Sequence, residues 1–299
     1  MPGPSWQYSI VDDSLLVERL HEAGFQVAAM VPAAGGVVAL AGLVTLRDGR
    51  RIFAKTLDVS HSSLFTVEAE GLRALTELGG ANTPEILAST PNLLVLAAME
   101  PRGTDAAFWE RAGRMLARVH VTAIGDRFGW RHDGWLGRLR QENAWTSDGY
   151  EFFVQRRILR WLSEPLVQQA FDGGDRSALE RLCVALPELV PVRPPVLNHG
   201  DLWTENLVAT SAGDPVFIDP AVSYTWAESD LSMVWSANRP PVSDRFFSAY
   251  AEISPLHDGW QDRMPLLHLR ELLSIIAHDD DDWGAVAAVR KVIAPFRSR

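Results

Sequence analysis

Apolar and polar positions alternate in short runs near the start of the chain and recur at three- and four-residue spacing farther on. Residues 37–46 (VVALAGLVTL) and 51–57 (RIFAKTL) read as strands. Between them lies RDGR, whose Asp48-Gly49 pair tolerates positive φ and predicts an antiparallel hairpin. Gly35-Gly36, just upstream, suits either a plain turn or a backbone brought close to a ligand. In SSLFTVEAEGLRALTELGG, residues Leu64, Val67, Gly71, Leu72, Leu75 and Leu78 predict an amphipathic helix. At about 100° per residue, Glu68 falls inside the apolar stripe, while Glu70 and Glu77 fall opposite. A carboxylate there needs a cation or an edge position that reaches water. Lys55, on the same strand face as Phe53 and Leu57, is the cation in reach, so a Lys55–Glu68 pair competes with a solvated Glu68.

PNLLVLAAMEPRG (91–103) reads as a strand followed by an irregular connector. Beyond it the period changes. FWERAGRMLARVH, YEFFVQRRILRWL, SALERLCVALPELV, PVSDRFFSAYAEI and LLHLRELLSIIAHD all carry helical spacing. The pattern predicts an α+β, two-lobe chain: residues 1–96 as a small sheet-containing lobe, 97–299 as a mostly helical lobe, and a hinge at about 94–100.

Composition narrows the field of partners. The 299 residues carry a formal net charge of −10, which argues against nucleic acid or an anionic membrane as the main partner. A phosphorylated ligand needs only local positive groups and stays possible. Cys183 is the single cysteine, which excludes an internal disulfide and a cysteine-rich zinc site; in ALERLCVALPELV it reads as a buried thiol. No apolar run approaches the roughly 20 residues that span a bilayer, and the first residues lack a signal-peptide pattern. A cytoplasmic protein, monomeric by default, is the expectation.

The densest chemistry lies in NHGDLWTENLVATSAGDPVFIDP (198–220). NLVAT and PVFID flank the turn SAGD and predict a second hairpin, with Asn206 and Asp219 at the outer ends of its strands. Asp201 precedes Asn206 on the loop leading in. Phosphoryl transfer requires such a set: one carboxylate for the attacking hydroxyl, an amide and a second carboxylate for Mg²⁺. Magnesium keeps several waters, so two protein ligands suffice.

Taken in order, the Gly pair, Lys55, Glu68, the connector, Asp201, Asn206 and Asp219 resemble the protein-kinase-like fold of small-molecule kinases. The closest resemblance is to the fructosamine kinase (ketosamine-3-kinase) family, within the aminoglycoside phosphotransferase-like superfamily. HGDLWTEN looks like that family's catalytic loop, FIDP like its metal-binding Asp-Pro, and VEAEGLRAL like its glutamate helix. FGWRHDGWLGRLRQENAWTSDGYEFFVQRRI and YTWAESDLSM are similar to further family segments, and the likeness runs from about residue 10 to the end. The resemblance implies an ATP-dependent kinase acting on a hydroxyl of a ketosamine such as a fructosamine or ribulosamine, by family likeness the 3-hydroxyl. Asp201 would be the base, Asn206 and Asp219 the Mg²⁺ ligands, and Lys55, held by Glu68, a contact to the α/β-phosphates. Gly35 and Gly36 would approach the phosphates, and Leu96, Ala97, Ala98 and Met99 would form the adenine-binding connector. His199 and Asp230 would brace the catalytic loop.

Ala97 stands where the family usually has an acidic residue, and Thr204-Glu205 is bulkier than the usual small pair. Glu205 either tunes preference for the substrate's amine substituent or is solvated. Trp145 and Trp203 are candidate stacking surfaces for the acceptor, whereas Trp130, Trp161, Trp235 and Trp260 read as core. Gln141 and Asn143 either bond sugar hydroxyls or brace a loop. His120 reads as a favourable cation at a helix C-terminus, and Asp279–Asp282 as a solvated acidic loop. Two other readings compete: a kinase of the same fold acting on an aminoglycoside, choline or free sugar, and an inactive nucleotide-binding scaffold. The five residues Lys55, Glu68, Asp201, Asn206 and Asp219 together speak against the scaffold.

Overall fold

The computed structural model describes residues 14–33, 39–57, 63–236, 239–280 and 284–297. Gly35 and Gly36, and the start of the strand expected from residue 37, lie outside the described residues. The chain divides into two compact units, one of Met1–Ala69 with Pro84–Met99, the other of Glu70–Thr83 with Glu100–Arg299.

The first unit is built on an antiparallel sheet of β1 (Val27–Pro32), β2 (Leu40–Leu46), β3 (Arg51–Thr56), β4 (Ile86–Ser89) and β5 (Leu93–Ala97), in the order β1-β2-β3-β5-β4. The β2–β3 hairpin closes at Asp48-Gly49. Gly49 takes φ 88°, and the Asp48 carboxylate accepts from the Arg50 N–H at 3.0 Å. Helix α1 (Ser14–Glu22) had no periodic signal in the sequence reading. It buries Leu16 and Leu20 on Val44, Ile52, Ala54 and Val95. The Arg19 guanidinium fastens it by donating to the Leu57 carbonyl and, at 3.1 Å, to the Asn92 carbonyl. Helix α2 (Leu64–Glu77) begins in this unit and ends in the second. Its buried face carries Gly71, Leu72 and Leu75, as the spacing predicts, with Phe65 and Ala69 nearer its start in place of Leu64 and Val67, which are half-buried; Leu78 lies beyond the helix and is exposed.

The second unit is mostly helical around one large apolar core. Helix α3 (Ala106–Thr122) starts at Asp105, whose carboxylate accepts from the Phe108 N–H at 2.9 Å. Strands β6 (Gly134–Leu136) and β7 (Leu139–Gln141) form a small hairpin, followed by α4 (Gly149–Phe153). The expected helix 150–162 is not regular: α4 passes into one π turn (Val154–Ile158) and then a 3₁₀ segment (Leu159–Ser163). The wide turn accompanies an internal demand, because Arg157 is buried there and donates to the Glu142 carbonyl, Asn143 Oδ1 and Ser223 Oγ. Helices α5 (Pro165–Ala170) and α6 (Gly173–Leu189) follow, with Cys183 buried as expected and its thiol pushed up to about 12 by burial.

Then come β8 (Val196–Asn198), β9 (Leu207–Ala209), β10 (Pro215–Phe217) and β11 (Ser223–Thr225). β9 pairs antiparallel with β10, and β8 with β11. The chain continues through α7 (Ala227–Ser236), α8 (Asp244–Ala251), α9 (Trp260–Leu267), α10 (Leu269–Ala277) and α11 (Ala285–Ile293). LLHLRELLSIIAHD, expected as one helix, is therefore two segments meeting at His268. Helices α3 and α8 touch backbone to backbone: a Cβ on Gly113 would lie 2.1 Å from the Phe246 carbonyl oxygen. Trp130 and Trp161 are core residues, while Trp235 and Trp260 are half-buried and pack on Phe247. Among the described residues, no helix is long and apolar enough to cross a membrane.

Candidate active site

In the first unit, strand alternation sends Lys55 to the side where α2 presents Glu68. Lys55 Nζ lies 2.9 Å from Glu68 Oε1, with both side chains 11% exposed. Of the two readings for Glu68, the pair is the one observed. The ammonium also sits 5.9 Å from the Phe53 ring centroid, so the strand supplies an apolar wall beside it. Leu96 and Ala97 finish β5 and Ala98 and Met99 continue the chain; the Ala97 N–H donates to the Glu85 carbonyl.

In the second unit, the β9–β10 hairpin holds the acidic and amide groups. Asn206 ends a single 3₁₀ turn and is buried; its Nδ2 donates to the Asp201 carbonyl at 2.7 Å and to Asp201 Oδ2 at 3.1 Å. An amide whose nitrogen is committed in this way keeps its oxygen for a hard cation. Across the hairpin, the Ile218 N–H donates to the Asn206 carbonyl, which brings the strand leading to Asp219 alongside. Asp219 takes φ 54°, a left-handed conformation that aspartate tolerates better than most residues and that turns the chain sharply before Pro220.

Burial pushes the Asp201 carboxyl well above the usual carboxylate range; Glu271 and Asp219 add to the rise, while Arg270 and the Asn206 hydrogen bond oppose it. The Asp219 charge thus acts on Asp201, and a nearby cation would offset that repulsion. Among the described residues no three His, Cys, Asp or Glu side chains cluster to hold a metal. An amide and a carboxylate oxygen, as Asn206 and Asp219 offer, are hard donors that suit magnesium rather than zinc.

The loop itself is fastened by His199 and Asp230. Asp230 Oδ2 accepts from the His199 N–H at 2.7 Å, and Oδ1 from the Gly200 N–H at 2.8 Å. Burial would raise the Asp230 pKa, but the His120 hydrogen bond, with the nearby imidazoles and the Gly200 N–H, brings it below the ordinary value. His199 accepts from the Asp201 N–H at Nδ1 (3.2 Å), so Nε2 carries the proton donated to the Ile218 carbonyl at 2.9 Å. Burial lowers its pKa, which keeps this neutral tautomer.

His120 lies in the last turn of α3, as expected, but it is a buried link, with Nδ1 2.8 Å from the Tyr250 hydroxyl and Nε2 3.3 Å from Asp230 Oδ2. Asn143 and Gln141 are also buried. Asn143 donates to the His132 carbonyl and accepts from Arg157; Gln141 donates to the Ala221 carbonyl and accepts from Arg270. Both side-chain amides are engaged at both ends, the bracing arrangement. Trp145 is 37% exposed and lies beside Arg127 and Tyr224, and Trp203 is half-buried. Glu205 is exposed and pairs with Arg102 at 2.8 Å. Asp279 and Asp280 are exposed, whereas Asp281 and Asp282 lie outside the described residues.

Arg270 and Glu271 escaped the sequence reading. In LLHLRELLSIIAHD they look like the polar face of a surface helix, yet Arg270 is 8% exposed and Glu271 lies close enough to raise the Asp201 pKa. A periodicity count that placed Arg270 among the apolar positions of α10 would have been the signal.

Residues 12–287 match the family model described as fructosamine kinase. The chain is 30% identical over 264 residues to the "Probable ketoamine kinase" of Enterococcus faecium, covering 86% of this chain and 91% of that protein. It is also 30% identical over 238 residues to the chloroplastic protein-ribulosamine 3-kinase of Oryza sativa subsp. japonica, covering 76% of this chain and 67% of that protein. Among solved structures, a "putative fructosamine-3-kinase" from Thermobifida fusca superposes with a TM-score of 0.83 at 30% identity, over 94% of this chain and 99% of that one. The choline kinase LicA of Streptococcus pneumoniae shares the fold at a TM-score of 0.64 and 15% identity, over 94% of this chain and 98% of that one.

Proposed function

Because the chain belongs to the fructosamine kinase family, we propose that it transfers the γ-phosphoryl group of ATP to the 3-hydroxyl of a ketosamine. The family's fold is the protein-kinase-like two-lobe α+β fold, and kinase chemistry on ketosamines is the family's activity. Asp201 orients the attacking hydroxyl and accepts its proton; its raised affinity for a proton suits a group that must take one up during transfer. Lys55, aimed by Glu68, binds nucleotide phosphate oxygens. Asn206 and Asp219 would hold Mg²⁺, which when bound offsets phosphate charge. Backbone groups of the 96–99 connector bind adenine. Trp203 and the exposed face of Trp145 offer stacking surfaces to the acceptor, and we assign Asn143 to bracing because its amide is committed internally.

The observation that carries this reading is the hydrogen bonding of Asn206 to Asp201 on the loop leading into the β9–β10 hairpin, with the strand leading to Asp219 alongside. An inactive scaffold has no chemical reason to hold a half-buried carboxylate close to others of like charge. The test is incubation with Mg-ATP and a panel of ribulosamines, fructosamines and aminoglycosides, followed by phosphorus NMR. A phosphate monoester on the ketosamines alone is expected. Transfer to an aminoglycoside with none to any ketosamine would overturn the substrate assignment.

A further inference from the structure

The two peptide groups that lead into Asp201 are each held at both ends. The His199–Gly200 peptide accepts from the Ala221 N–H at its oxygen (2.8 Å) and donates to Asp230 at its nitrogen. The Gly200–Asp201 peptide donates to His199 Nδ1 and accepts at Gly200 O from Arg270 Nη1 at 2.5 Å. Three of these four holders lie within about thirty residues of the loop. Arg270 arrives from α10, 70 residues on.

Its guanidinium has a second task. Arg270 Nη2 donates to Gln141 Oε1 at 2.5 Å, and Gln141 Nε2 donates to the Ala221 carbonyl at 3.0 Å. Since Ala221 N–H holds His199, the contacts close a ring through Arg270, Gln141, Ala221, His199 and Gly200. A planar fork serves two acceptors in a fixed relative orientation, which an ammonium on a flexible stem does not. Gly200 admits no side chain that could do this work locally. It takes φ +80°, and a Cβ there would meet the Ala221 oxygen at 2.1 Å.

We propose that Arg270, braced by Gln141, is a positioning residue: through the Gly200 carbonyl it fixes the plane of the peptide from which the Asp201 side chain projects. The inference rests on the reading of Asp201 as the group that acts on the acceptor hydroxyl. Arg270 touches no reacting atom: it holds the loop through backbone, and its charge, which also acts on Asp201, is retained by lysine. A displacement of about 1 Å in such a group costs on the order of 10²-fold in rate.

The experiment compares Arg270→Met and Arg270→Lys in the full chain, and Arg270→Met again in an Asp201→Ala background. It reads kcat and KM for Mg-ATP, thermal midpoint, and the amide ¹H–¹⁵N shifts of Gly200 and Asp201. Arg270→Met should lower kcat by roughly 10–100-fold while KM for ATP stays within about threefold. Arg270→Lys keeps the charge but loses the fork, so kcat should stay at least about fivefold below wild type, and both variants should shift the Asp201 amide. In the Asp201→Ala background Arg270→Met should slow residual turnover by less than about twofold. Full rescue by lysine, a kcat unchanged by methionine, or an additive loss in the double variant overturns the proposal. If Arg270→Met does not fold, Gln141→Met should show the same kcat-only loss at smaller size, and an unchanged kcat there overturns it equally. If wild type phosphorylates no acceptor, the functional reading fails by itself, and the amides still decide: an unmoved Asp201 amide in Arg270→Lys or Gln141→Met sinks the positioning role.

Discussion

Lys55 and Asp201 are held in opposite ways. Lys55 meets Glu68, thirteen residues on along the chain, through the ends of two side chains. The loop carrying Asp201 is fastened by Asp230, His199, Asn206, Ala221 and Arg270, through backbone groups as well as side chains. A contact between flexible side-chain ends sets a charge at roughly the right place, which is enough for a cation that binds phosphate as a point charge. A group that must meet one hydroxyl needs its direction fixed, and direction requires several constraints from different sides.

The contrast is broken most severely at Asp201. Asp201→Ala should lower kcat by about 10²–10⁴-fold while thermal unfolding and ATP binding stay near wild type; turnover within a few-fold of wild type would remove it as base. Acid should come next, and should act at the α9–α10 junction, two residues before Arg270. Burial, aided by the Arg270 charge, holds His268 at about 4, against about 6.5 in an unfolded chain. The unfolded state therefore binds the extra proton between those values, so stability is intact above about pH 6.5 and falls as pH drops toward 4. The loss is roughly 3 kcal/mol. Urea unfolding at pH 7 and pH 4.5 should show this slope in wild type and a flatter one in His268→Gln; equal slopes would discard the assignment. The smallest effect is expected at the pair. Glu68→Gln takes a carboxylate from beside a largely buried ammonium and should cost roughly 1–3 kcal/mol. Its signature is partial recovery in Lys55→Met/Glu68→Gln, and a double variant no more stable than Glu68→Gln alone would mean that the pair is not what the loss reports.

The same contrast explains what could be read from the chain. Lys55–Glu68 was legible because strand alternation and helix periodicity each aim one side chain, and the β9–β10 hairpin because its turn residues sit between short β runs. Gln141, Asn143, His120 and Arg270 were not, since polarity at one position says nothing about a partner 80, 14, 110 or 70 residues away. Their burial is set by tertiary packing that no local window contains. The π turn at Val154–Ile158 was hidden for the same reason: its apolar residues still repeat at helical spacing, and only the demand of buried Arg157 for carbonyl and amide partners distinguishes it.

Gly113 has no functional group, yet the meeting of α3 and α8 at its Cα leaves no place for even a methyl. In any survey of tolerated substitutions this position should be as intolerant as the reactive carboxylate, and for a reason unconnected with chemistry. Invariance along such a chain therefore marks two kinds of site, those that react and those where two backbones leave no gap, and only geometry tells them apart.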